Sequence, residues 1–173
     1  MRNRIVLIAA LFLAFCANAQ EKTVFDIARS GTLEEIQTVY KTRPELINSI
    51  NEKKSSPLIL ACYKGNEPVA LFLAVKVKDV NYNSGMGTAL MAAVMSGNVS
   101  IVKKLISNKA DLNQADAQGK TALIYATFFN KNEIAKELIT AGANKKEKDH
   151  DGRTALDYAN FNKNTELVIL LDN

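Results

Sequence analysis

Four copies of one short motif, all in register, limit the fold of this chain more than any other feature. The fullest copy is Gly119-Lys120-Thr121-Ala122-Leu123-Ile124-Tyr125-Ala126. The others are Ser56-Pro57-Leu58-Ile59-Leu60-Ala61, Thr88-Ala89-Leu90-Met91-Ala92-Ala93 and Gly152-Arg153-Thr154-Ala155-Leu156-Asp157-Tyr158-Ala159. Their Ser/Thr positions, 56, 88, 121 and 154, lie 32, 33 and 33 residues apart. A constant period of that length is one supersecondary unit repeated along the chain. Behind each motif apolar residues recur at helical spacing: Ile101, Val102, Leu105 and Ile106 in one copy, Ile134, Leu138 and Ile139 in the next. A helix pair of this kind shows an apolar face it cannot bury alone, so the units must stack. The pattern predicts an all-α solenoid of about five helix-turn-helix units joined by turns. The units cover 20–50, 51–82, 83–115, 116–148 and 149–173, the first and last acting as caps.

The unit resembles the ankyrin repeat, whose pattern is D-x-x-G-x-T-P-L-H-x-A-A-x-x-G, an apolar helix, then G-A-D-x-N. Asp116, Gly119, Thr121, Leu123 and Ala126 match in one unit, and Asp149, Gly152, Thr154, Leu156 and Ala159 in the last. Ala110-Asp111-Leu112-Asn113 and Ala141-Gly142-Ala143-Asn144 match the closing segment. Alanine replaces the pattern's proline at 89, 122 and 155, and its histidine gives way to Ile59, Met91, Ile124 and Asp157. The hydrogen bonds that this histidine makes in the family are therefore expected to be missing. The resemblance covers residues 21 to 173 and implies an ankyrin-repeat solenoid of the bacterial, secreted or periplasmic type.

Local signals agree with the units. The Ser/Thr at each motif start is suited to cap a helix. The alanines at 61, 93, 126 and 159 let neighbouring first helices approach closely. Gly65 and Gly97 separate the two helices of their units, and Asn130 holds the same place in the next, as the residue that next best tolerates a positive φ. Gly31 is expected to end the first helix in a left-handed conformation. Leu167-Val168-Ile169-Leu170-Leu171 is very apolar for a capping helix, which predicts either a covered outer face or dimerisation through it.

Residues 1–19 read differently. Arg2 and Arg4 precede thirteen apolar residues, Ile5 to Ala17, and Ala17-Asn18-Ala19 supplies the small residues of a cleavage site. This is the make-up of a secretory signal peptide, cleaved after Ala19, and the run is too short to span a bilayer comfortably. The expectation is a periplasmic or secreted domain over 20–173, with no stable membrane anchor after cleavage. Removing 1–19 takes away Arg2, Arg4 and Cys16, leaving 154 residues with 20 Lys+Arg against 18 Asp+Glu. That balance argues against a nucleic-acid surface. Cys62 is then the one cysteine left and pairs with nothing inside the chain; it reads as a small buried hydrophobe.

No H-E-x-x-H, G-x-S-x-G, C-x-x-C or phosphate-cradling glycine loop occurs. His150, the one histidine of the chain, lies in a turn between Asp149 and Asp151 with no second histidine to share a metal. The chain reads as neither an enzyme nor a metal or cofactor protein. The resemblance implies a protein–protein interaction module with its partner on a concave face. Its lining positions carry Tyr63, Lys64, Met95, Phe128, Phe129 and Phe161, and the turn tips add Lys120, His150 and Arg153. It also admits other roles: a small-molecule or haem-carrying accessory to an antioxidant enzyme such as catalase, or an immunity protein against a toxin.

Overall fold

The computed structural model describes residues 22–172, so the cleavage-site expectation at 1–19 lies outside the described residues. The described chain is helical throughout: α1 (Val24–Ser30), α2 (Leu33–Thr42), a 3-10 turn (Pro44–Asn48), α3 (Pro57–Lys64), α4 (Glu67–Lys76), α5 (Ala89–Ser96), α6 (Val99–Ser107), α7 (Ala122–Phe128), α8 (Asn132–Thr140), α9 (Ala155–Phe161) and α10 (Thr165–Asp172). The helices form five antiparallel pairs at the expected period. First helices α1, α3, α5, α7 and α9 pack in sequence order as one layer, and second helices α2, α4, α6, α8 and α10 as another.

Each first helix starts where the sequence places a hydroxyl. Ser56, Thr88, Thr121 and Thr154 accept hydrogen bonds from the N–H groups of Ile59, Met91, Ile124 and Asp157. Thr23 does the same for Asp26. Such caps contribute about 1 kcal/mol each by satisfying a donor that the helix leaves free. The first layer is held close by Ala28, Ala61, Ala93, Ala126 and Ala159, all fully buried. Between the layers lie Leu73, Leu105 and Leu138, also fully buried, each contributing about 1.5–3 kcal/mol by leaving water.

A second tie between units runs along the outer edge. The side-chain carbonyls of Asn48, Asn81 and Asn113 accept from the backbone N–H groups of Lys78, Asp111 and Asn144, each at 2.8 Å. One asparagine in each of these units therefore bridges to the next and helps to pin the spacing of the stack.

The corner between paired helices is left-handed in four units: Gly65 (φ 65°), Gly97 (75°), Asn130 (54°) and Lys163 (55°). Lysine pays there for a Cβ that glycine lacks. Lys163→Gly is therefore expected to raise stability by up to about 1 kcal/mol, the strain relieved minus the extra chain entropy of glycine. A melting midpoint unchanged or lower would show that the corner at Lys163 is unstrained.

Gly31 corrects one expectation. Its φ and ψ are −82° and −179°, extended rather than left-handed, because Thr32 caps α2 directly and the chain needs no left-handed reversal. What selects glycine is space: a Cβ would lie 2.7 Å from the Cα of Ile27. In α10 Leu167 and Leu171 are buried, while Ile169 stays 60% exposed.

Cys62 is fully buried in α3, and burial pushes its thiol far up from the ordinary value. It is packing, as its place in the repeat suggests, and it stays a protonated thiol at neutral pH.

Candidate functional site

The side chains expected to line one face stand at equivalent places in successive units. Tyr63 (52% exposed), Met95 (37%), Phe128 (45%), Phe129 (40%) and Phe161 (83%) lie at the C-terminal ends of successive first helices. Large apolar groups left in water at one repeated position are unusual on a soluble surface.

They are not equally free. The Phe128 ring meets Phe129 at 4.9 Å between centroids and Tyr158 at 5.5 Å, both edge-to-face, and Phe129 stacks on Tyr125 at 6.1 Å. These four rings form one aromatic platform across α7 and α9. Phe161 stands outside it.

The platform is anchored from below by the inter-unit turns. Asp116 accepts from the N–H groups of Gln118 and Lys120 and from the Tyr125 hydroxyl at 2.6 Å. Asp149 repeats this with the N–H groups of Asp151 and Arg153 and the Tyr158 hydroxyl at 2.5 Å. The resemblance implied that the hydrogen bonds of the family's histidine would be missing. In two units the tyrosine one position further on ties the first helix to the turn. The spacing Asp–Tyr nine residues apart occurs twice in the sequence and is the signal that would have found it.

Lys120 requires a correction. Its ammonium lies 3.4 Å from the Asp149 carboxylate, whose side chain is fully buried, and the Lys120 side chain is itself only 19% exposed. It serves the turn rather than a free polar rim. Arg153 is exposed, its guanidinium 5.9 Å from the Tyr158 ring centroid and 4.0 Å from Asp151. His150 is exposed too, and its backbone N–H donates to the Gln118 carbonyl. Lys64 lies exposed, 5.8 Å from the Tyr63 centroid. The polar residues named from sequence thus divide. Lys64 sits with Tyr63, while Lys120, His150 and Arg153 gather around the last turn.

Burial alone would raise the Asp149 pKa. Hydrogen bonds from Tyr158, the Arg153 N–H and Lys120 outweigh it and hold the carboxyl below its ordinary value. A depressed folded pKa adds stability that is present above the unfolded value, about 4, and is lost as pH falls through the folded one. Denaturant midpoints are therefore expected to drop below pH 4, and Asp149→Asn is expected to flatten that drop. Equal acid slopes in the two proteins would assign the loss to other carboxylates.

A second feature, invisible in the sequence, adjoins Tyr63. A groove of about 310 Å³ opens between the second and third units, walled by Ile59, Leu60, Tyr63, Met86 and Met95. Met86, on the turn before α5, is 82% exposed.

A family model described as "Ankyrin repeats (3 copies)" matches residues 24–116 and again 90–173. The chain belongs to the ankyrin-repeat family. Similar proteins include the rat "Ankyrin repeat and SAM domain-containing protein 6" (Rattus norvegicus), 32% identical over 101 residues. The mouse protein of the same name (Mus musculus) is 31% identical over 101 residues. Each alignment covers 57% of this chain and 11% of the relative, so the chain corresponds to a small part of those proteins. Ankyrin repeats indicate a protein–protein interaction module, and the family is generally non-catalytic. Among the described residues no group of three or more His, Cys, Asp and Glu is placed to hold a metal. No helix among them is long and apolar enough to cross a membrane.

Proposed function

We propose that this ankyrin-repeat chain is a non-catalytic binding module of a bacterial envelope, periplasmic or secreted, that holds a partner protein on its concave face. The observation that carries the reading is the exposed ladder of Tyr63, Met95, Phe128 and Phe161 on the first-helix layer. Aromatic side chains and methionine are enriched in interface cores, and rigid ones cost little entropy to bury. The compartment rests on the signal-like residues 1–19 and on the burial of Cys62, which shields an unpaired thiol from oxidation.

Phe161 gives the cleanest test, because it touches the aromatic platform least. Phe161→Ala is expected to change stability by under about 0.5 kcal/mol, as exposed substitutions do. Capture of the partner from envelope extract, quantified against the parent chain, is expected to fall at least tenfold, since aromatic anchors are common hot spots. Unchanged capture by Phe161→Ala and by Tyr63→Ala would remove the concave ladder as the site. Recovery of the chain in the cytosol with residues 1–19 intact would remove the envelope.

A further inference from the structure

Resting on the proposed concave-face reading, we infer that the groove beside Tyr63 selects its partner: it takes an apolar side chain from a protein segment flanked by carboxylates. Ile59, Leu60, Tyr63, Met86 and Met95 make its apolar walls, and of the hydroxyls that complete the lining those of Ser84 and Thr88 are already bonded to backbone groups. At about 310 Å³ the space is at the lower limit for a small-molecule pocket. It suits one or two side chains of a polypeptide.

Charge decides which polypeptide. Lys53 is the one charged residue in the lining. Lys54 follows it, and Lys64 lies beside the Tyr63 ring. All three are exposed, and none is in an ion pair among the described residues. Glu52 is the one carboxylate in that turn. Elsewhere Arg29 is matched by Asp26, Lys120 by Asp149 and Arg153 by Asp151. Three exposed lysines against one carboxylate therefore make the rim of this groove positive. A segment bearing carboxylates on both sides of an apolar anchor complements it, and like charge disfavours basic segments.

The Met86 wall is fixed before any partner arrives. The Met86 N–H donates to the Ser84 hydroxyl, the Ser84 N–H and hydroxyl both donate to the Gly87 carbonyl, and the Gly85 carbonyl accepts from the Ala117 N–H of the next unit. The turn thus holds the Met86 backbone in place, so binding has only the side chain left to order, and its flexible thioether adapts to guests of varied shape.

The test uses the full chain with ¹³C-labelled methionine methyls and four probes. These are a synthetic Asp-Glu-Leu-Phe-Glu-Asp peptide, the same peptide with Leu-Phe replaced by Ala-Ala, a Lys-flanked Leu-Phe peptide, and an oligo-dT strand. The acidic Leu-Phe peptide is expected to move the Met86 and Met95 methyl signals, and its binding to weaken as salt is raised. The Ala-Ala version is expected to bind at least tenfold more weakly. The combined Lys53→Glu and Lys64→Glu variant, both sites exposed, is expected to reverse the preference between acidic and basic peptides. Met86→Ser is expected to weaken the acidic peptide severalfold, and Lys136→Ala, exposed on the second-helix layer, to leave it unchanged.

Equal affinity for acidic and basic peptides, or no movement of either methyl at millimolar peptide, would overturn the inference. Oligo-dT binding at these methyls that ignores Met86→Ser would also overturn it, in favour of a surface for anionic polymers. If partner capture depends on Phe161 but not on the two lysines, the concave-face reading stands and this one falls.

Discussion

Asp149→Ala is expected to destabilise the chain by ~2–4 kcal/mol, the largest single loss foreseen outside the apolar core. The carboxylate is fully buried and satisfies four donors: the N–H groups of Asp151 and Arg153, the Tyr158 hydroxyl and the Lys120 ammonium. Alanine leaves a buried tyrosine hydroxyl and two turn N–H groups without a partner, and unsatisfied buried donors cost about 1–3 kcal/mol each, in part recovered by water. The effect is expected to spread past the turn. Tyr158 forms one side of the aromatic platform, so the Phe128 ring loses a fixed neighbour. Asp149→Asn is expected to lose much less, since an amide still accepts from the turn. Chemical denaturation of the three proteins measures this. An alanine variant as stable as the asparagine one would show that the carboxylate's bonds are worth no more than water's.

The second large effect concerns space rather than polarity. Ala126→Leu is expected to cost at least ~1–3 kcal/mol, the usual penalty for forcing methylenes into packed interior. Ala126 is fully buried on α7, which packs against both α5 and α9. In a stacked array each unit is held by its neighbours, so a side chain too long at α7 strains two interfaces at once. Loss of cooperativity, with the last two units melting before the first three, is the expected signature in hydrogen exchange. A leucine variant that melts with the parent would mean that the first helices have room to move apart.

The repeat period and the all-helical solenoid were legible in the sequence. The reason is that a solenoid makes its contacts at a fixed sequence distance. Thr121 caps, Ala126 packs and Asn130 turns for reasons local to one unit, and the same reasons recur 33 residues later. Cys62 was legible on the same ground, since its place in the repeat demands a small buried side chain.

Other features depended on what lies one unit away, and residue type alone carries no such record. The left-handed place of Lys163 follows from its corner position, equivalent to that of Asn130 in the preceding unit, against lysine's own preference. Lys120 looks like a surface charge until Asp149, from the following turn, is brought to 3.4 Å. The aromatic residues could be assigned to one face from the repeat. Only the packed structure separates Phe128, wedged against Phe129 and Tyr158, from Phe161, which stands in water. The groove is the extreme case. Met86 and Tyr63 belong to different units and to different kinds of element, a turn and a helix end, and only the stacking of those units makes them walls of one space.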